Sequence, residues 1–192
     1  AAAGTWGVGD IVNGSTGTDT LNATVSGTAP TQSATSLVGI EILNLTASPN
    51  PSTLDLTGVT GLTSVNNISS ANGATLAVTG LGNIVNTTIT GGNTSTSISY
   101  TTAAVAGTAD AATLSLKGAA VGSSFTTSGI ETLTINSGTS ANTLASLSAV
   151  GMSKLVVTGD QALTIGGTTG NNGSTTVVGT ATYDLSAATG AL

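Results

Sequence analysis

Large aliphatic side chains alternate with Thr, Ser, Asn or Ala in short runs along this chain. They recur at Leu21-Asn22-Ala23-Thr24-Val25, Ile42-Leu43-Asn44-Leu45, Thr75-Leu76-Ala77-Val78, Thr113-Leu114-Ser115-Leu116, Thr132-Leu133-Thr134-Ile135 and Ala162-Leu163-Thr164-Ile165. A period of two with one apolar face is the mark of a strand buried on one side. Helical periodicity is nearly missing. β-Branched residues are dense, and glycines every few positions break the runs into short strands joined by turns. The pattern predicts an all-β protein.

The runs are also copies of one another. Gly39-Ile40-Glu41-Ile42-Leu43-Asn44-Leu45 matches Gly129-Ile130-Glu131-Thr132-Leu133-Thr134-Ile135 at an offset of 90 residues. The offset continues downstream, with Leu54 on Leu144, Gly61-Leu62 on Gly151-Met152, and Val65 on Leu155. Weaker echoes near Leu81 and Ala112 fill the interval and give a unit of roughly 20–24 residues, a length typical of solenoids. One such unit cannot bury its apolar face alone, whereas stacked units share a continuous core. The expectation is a right-handed parallel β-helix, a β-solenoid with coils of about 20–24 residues, forming a single domain over 1–192. A β-sandwich is the alternative, since it too has short strands at regular spacing. It accounts for the strands but not for the offset. A loop is expected at Pro49-Asn50-Pro51, the one dense cluster of breakers.

Composition narrows the function. Thr (39), Gly (27) and Ser (23) fill nearly half the chain, but Leu, Ile, Val and Phe still number 44, enough to fold. Charged residues are only 5% of the chain, and the net charge is −6. Arg and His are absent, and Lys117 and Lys154 are the two cations. Two lysines so far apart give no footprint for nucleic acid or an anionic membrane surface. Without cysteine there are no disulfides, thiolate metal sites or thiol nucleophiles. No apolar stretch reaches the length of a transmembrane helix. Ala1-Ala2-Ala3-Gly4 is not an intact signal peptide, so the chain reads as processed or as a piece of something longer.

Little in the chain can carry chemistry. Gly14-Ser15-Thr16-Gly17-Thr18-Asp19-Thr20-Leu21-Asn22 fits the calcium-binding nonapeptide G-G-x-G-x-D-x-U-x with Ser15 at the second glycine, and Asp10 lies nine residues earlier. Asp10 and Asp19 are therefore the candidate metal ligands, with Ca²⁺ as the candidate ion. Glu41 and Glu131 occupy matching repeat positions. Four coils apart, they are too distant for a glycosidase pair and are read as turn caps that accept backbone N–H bonds. Parallel β-helix polysaccharide lyases use Arg or Lys bases beside clustered acids, and this chain has no Arg and scattered acids. With no His base for a nucleophile either, the expectation is that the protein is not an enzyme. The seven Asn-x-Ser/Thr sequons are about as many as chance gives at this composition. Trp6, Tyr100, Phe125 and Tyr183 are too dispersed for a sugar-stacking platform and are expected in the core or at its ends.

Asp10-Ile11-Val12-Asn13-Gly14 and Gly17-Thr18-Asp19-Thr20-Leu21-Asn22, followed by Gly39-Ile40-Glu41-Ile42-Leu43-Asn44-Leu45-Thr46, resemble the lattice-forming regions of bacterial S-layer proteins and related calcium-repeat adhesins. The resemblance spans roughly residues 10–165 and departs from the family in lacking tandem calcium repeats. It implies a secreted β-solenoid that assembles with copies of itself into a sheet or filament at the cell surface, often bridged by Ca²⁺. Two roles follow as expectations. One is a structural, self-assembling extracellular protein. The other is an adhesin stalk or module that contacts a receptor or a cell-surface glycan.

Overall fold

The computed structural model describes residues 11–26, 37–49, 51–166, 168–169 and 182–190. Within them the strands run, in chain order, β1 (Val12–Asn13), β2 (Thr20–Val25), β3 (Leu37–Val38), β4 (Ile42–Ala47), β5 (Ser52–Asp55), β6 (Ser64–Ile68), β7 (Thr75–Leu81), β8 (Thr87–Thr90) and β9 (Ser95–Tyr100). They continue as β10 (Ala111–Lys117), β11 (Ser124–Ser128), β12 (Thr132–Gly138), β13 (Asn142–Leu144), β14 (Ser146–Val150), β15 (Lys154–Gly159), β16 (Leu163–Ile165), β17 (Thr168–Thr169) and β18 (Thr182–Ala188). There is no helix among the described residues, hence none that is long and apolar enough to cross a membrane.

Two parallel sheets wind together into a β-solenoid. The larger has eight strands in the order β18-β15-β12-β10-β8-β6-β4-β2, and the smaller has six, β17-β14-β11-β9-β7-β5. Short pairs β1-β3 and β13-β16 lie outside these two sheets. Every pairing is parallel, which rules out the sandwich: its sheets are antiparallel. β4 and β12, the two copies legible in the sequence, belong to the same sheet.

The coil is 22 residues where Thr20 faces Ile42, Ile42 faces Ser64 and Thr132 faces Lys154, and 21 where Ala111 faces Thr132. In the eight-stranded sheet two steps exceed the expected range: Thr87 faces Leu114, a step of 27, and Lys154 faces Thr182, a step of 28. In the first of these the chain between β9 and β10 makes a turn over 102–105 before re-entering the sheet. Stacking therefore differs slightly from the sequence repeat. Leu45, Asn67, Ile89, Leu116 and Ser137 form one inward column, so Leu45 aligns with a residue 92 further on, not 90. A slip of two preserves facing in a period-two strand, and every apolar position stays inside.

The core lies between the sheets. Leu43, Leu45, Leu54, Leu114, Leu116 and Ile135 are completely buried, each removed from water at roughly 2 kcal/mol of favourable transfer. Phe125 joins them. Polar side chains also point inward at the coil corners. Asn67 donates to Thr94 and Thr96 and accepts from Ser70, whose Oγ in turn accepts from Ala47 N–H. Trp6 and the Tyr183 side chain lie outside the described residues.

Tyr100 closes the end of β9, half-buried, with its hydroxyl donating to Val85 C=O. Burial pushes its phenol up from 10.0 to about 12. The fold thus favours the neutral phenol, so this contribution to stability is full below about pH 10 and disappears as pH rises from 10 towards 12. Spectrophotometric titration at the phenolate band should show one tyrosine ionising near 12. If both tyrosines ionise at the ordinary value, Tyr100 is not packed as described.

Candidate functional site

Among the described residues, four carboxylates gather at the corner where the chain enters the eight-stranded sheet. Asp19 immediately precedes β2, Glu41 precedes β4, Asp110 precedes β10 and Glu131 precedes β12. Adjacent coils pair them in two matched units. Asp19 N–H donates to Glu41 Oε2 at 2.8 Å, and Asp110 N–H donates to Glu131 Oε2 at 2.8 Å. Each Asp carbonyl accepts two backbone N–H groups, from Glu41 and Ile42 in one unit and from Glu131 and Thr132 in the other. Each Glu carbonyl then accepts from the coil above, Thr63 and Ser64 in one case and Ser153 and Lys154 in the other. The hydroxyls of Thr63 and Ser153 add a further bond to the same carbonyls. A carboxylate that accepts a backbone N–H holds the coil corner closed by a charge-assisted bond. This is the turn-capping role expected of Glu41 and Glu131. They stand four coil steps apart and two residues out of register, roughly 19 Å or more at ~4.8 Å per strand, beyond either glycosidase geometry.

Of the two metal candidates, Asp10 lies outside the described residues. Asp19 Oδ2 is buried without a hydrogen-bond partner. A Cβ placed on Gly14 would sit 2.0 Å from Gly39 O and 2.6 Å from Asp19 Cβ, so Gly14 makes room for that carboxyl beside a carbonyl oxygen. An orphaned carboxylate oxygen near a carbonyl suits a hard cation, and Asp19, Glu41 and the Gly39 carbonyl are the groups that would hold one. Among the described residues no three His, Cys, Asp or Glu side chains converge as a metal cage, so water would have to complete the shell. The same features recur where the sequence motif gave no hint. Asp110 Oδ2 is likewise buried and unpartnered, and a Cβ on Gly107 would lie 2.7 Å from Asp110 Oδ1. The available signal was the spacing: Asp19 to Glu41 is 22 residues and Asp110 to Glu131 is 21, each equal to one coil.

Beyond this corner, the outer face of the eight-stranded sheet is nearly uncharged. Its central row is Asn22, Asn44, Asn66, Thr88, Ser115, Asn136 and Thr158, in register from coil to coil. Asn44 Nδ2 donates to Asn22 Oδ1 and Asn66 Nδ2 to Asn44 Oδ1, both at 2.9 Å, while Asn66 Oδ1 accepts from Thr88 N–H. Asn136 Nδ2 continues the row by donating to Thr158 Oγ1. These side chains satisfy one another along the stack. No family model, curated protein or solved structure matches this chain.

Proposed function

We propose that this chain is a structural, self-assembling extracellular protein that forms filaments or a lattice at a bacterial cell surface, without catalytic activity. The observation that carries the reading is the stack itself. Among the described residues the eight-stranded sheet ends on β2 and β18, each paired to one neighbour. Terminal strands of a parallel stack present N–H and C=O groups to another copy, and head-to-tail contacts of this kind propagate instead of closing. The hydroxyl and amide surface supports it, because such groups meet without stranding charges in the contact. The resemblance to S-layer and calcium-repeat surface proteins points the same way, and secretion is part of the same proposal. Ca²⁺, held at Asp19 and at Asp110, is proposed as a stabilising ion of the acidic corners.

Negative-stain microscopy and sedimentation of the purified chain, with and without calcium, test these proposals. Extended assemblies are expected at high protein concentration, with end-to-end length little changed between low and high salt. Calcium is expected to raise the melting temperature, and an Asp19→Ala/Asp110→Ala variant should lose that response. An unchanged melting temperature removes calcium from the proposal. Monodisperse monomers under every condition remove self-assembly and leave the adhesin module, to be tested by binding to cells and glycans.

A further inference from the structure

One of the corners between coils is longer than its place in the stack requires. Thr87 faces Leu114 across a step of 27 residues, against 22 where Ile42 faces Ser64. The surplus lies between β9 and β10, and it is anchored at both ends. At the first, Ala104 N–H donates to Thr101 C=O, and the Val105 side chain stands 2.7 Å from where a Cβ on Gly129 would be. At the second, Asp110 N–H donates to Glu131 Oε2 and Asp110 C=O accepts from Glu131 and Thr132. Between the anchors Ala106, Gly107, Thr108 and Ala109 are all exposed. Among the described residues, none of their backbone groups has a hydrogen-bond partner.

We propose that the Ala106–Gly107 bond is a processing site for an endopeptidase that accepts a small aliphatic residue on the acyl side of the bond, and that the cut chain remains one solenoid. Exposed loops of small residues are where folded chains are nicked, because an enzyme must draw the segment into an extended strand. Four unbonded residues between two anchors supply that slack. Hydrolysis breaks the C–N bond. The oxygen of water passes to the Ala106 carbonyl carbon and both its protons to the Gly107 nitrogen, which leaves a carboxylate and an ammonium.

Other corners lack this combination. Asp110 is fixed on both backbone groups, which protects the Ala109–Asp110 bond. Val121 is 77% exposed, but Ala120 N–H donates to Gly92 C=O and Ala120 C=O accepts from Ser123 N–H, so that turn is closed. The stretch over 57–63 is pinned by buried Val59 and Leu62. The two lysines offer trypsin nothing accessible. Lys117 C=O accepts from Gly91 N–H and Gly118 N–H donates to Asn142 Oδ1, which holds both sides of one bond. Lys154 and Leu155 lie in the ladder between β12 and β18.

What joins the two pieces lies outside the loop. β10 pairs with β8 and β11 with β9, and Leu116 aligns with Ile89, both completely buried. Gly91, Ala120 and Ser124 N–H groups add bonds across the same boundary. None of these contacts involves 106–109.

Limited digestion of the full chain with elastase, read by intact-mass spectrometry and native size exclusion, tests both parts. Fragments ending at Ala106 and beginning at Gly107 are expected as the first products within 51–166, eluting together like the uncut chain and parting in urea. Trypsin should leave the parent whole. Ala106→Arg should let trypsin cut after residue 106 at least about tenfold faster than at either lysine, since cleavage follows the population of opened segments. Ala106→Glu should slow elastase at this bond about tenfold by misfitting its pocket. The position is exposed, so both variants should keep the parent's circular dichroism. First cuts at Val121 or within 57–63, or an Ala106→Arg chain that trypsin leaves whole, overturn the site. Fragments that part without denaturant overturn the two-piece solenoid. Neither outcome depends on self-assembly.

Discussion

Replacing Asn142 by leucine is expected to destabilise the solenoid by about 4 kcal/mol, the sum of several buried polar groups losing their partners. Asn142 is 2% exposed at the start of β13. Its Oδ1 accepts from Gly118 and Ala119 N–H at 2.8 and 2.9 Å, which joins the corner of one coil to the next. Its Nδ2 faces Ser137 Oγ, Gly138 O and Ser140 O at 2.9, 3.3 and 2.7 Å. Two N–H donors on one side and three acceptors on the other leave a single sensible orientation for the amide. Leucine fills a similar volume but strands two backbone donors in a dry corner. Asn142→Asp keeps the acceptor but turns a buried carboxylate oxygen towards the Gly138 and Ser140 carbonyls, so a loss of similar size is expected at neutral pH. Urea unfolding reads both variants, and both midpoints should fall well below the parent's. A leucine variant with the parent's midpoint would mean that water or a shifted loop reaches the corner.

Asn142 also shows where sequence reasoning stops. Strands β2, β4, β7, β10 and β12 are visible in the sequence because large aliphatics such as Leu43, Leu76 and Leu114 alternate with hydroxyls. β9 and β11 escape the same reading because Thr96 and Thr127 take inward positions, at 2% and 3% exposure. A buried threonine looks like a surface one until its neighbours are known. The Gly-Ile-Glu repeat revealed Glu41 and Glu131 as a matched pair, and their capping bonds agree with that reading. Asp110 was hidden because it follows Gly107-Thr108-Ala109 and not the nonapeptide pattern that drew attention to Asp19. Pairing alone exposes the 92-residue alignment of the stack, since a two-residue slip leaves the apolar pattern unchanged. Asn67 and Asn142 have polar side chains and buried positions, a combination that composition and periodicity cannot forecast. The carboxylate positions were plain from the start, but the corner that four of them share emerges only once β2, β4, β10 and β12 are placed in one sheet.

Gly159→Ala is expected to cost at least about 3 kcal/mol, whereas Gly61→Ala should cost about 1–2 kcal/mol. The two glycines separate backbone strain from collision. Both hold positive φ, +105° at Gly159 and +88° at Gly61, where an L side chain is disfavoured. Around Gly61 a new Cβ would meet nothing within 4 Å, so only the conformational penalty applies. At the end of β15 a Cβ on Gly159 would lie 2.1 Å from Ser137 O and 2.8 Å from Ser137 C and N. Those are backbone atoms of β12, held in register with β15 by the parallel ladder, and they cannot swing aside as a flexible side chain could. Either β15 tilts away from β12 or the ladder breaks at its end. Ser137 O also accepts from Gln161 N–H, so the turn after β15 would loosen with it. Hydrogen exchange should then show faster amides at 155–161 in Gly159→Ala and parent-like rates there in Gly61→Ala. Equal midpoints for the two variants would show that the coils are not stacked as closely at Gly159 as their register requires.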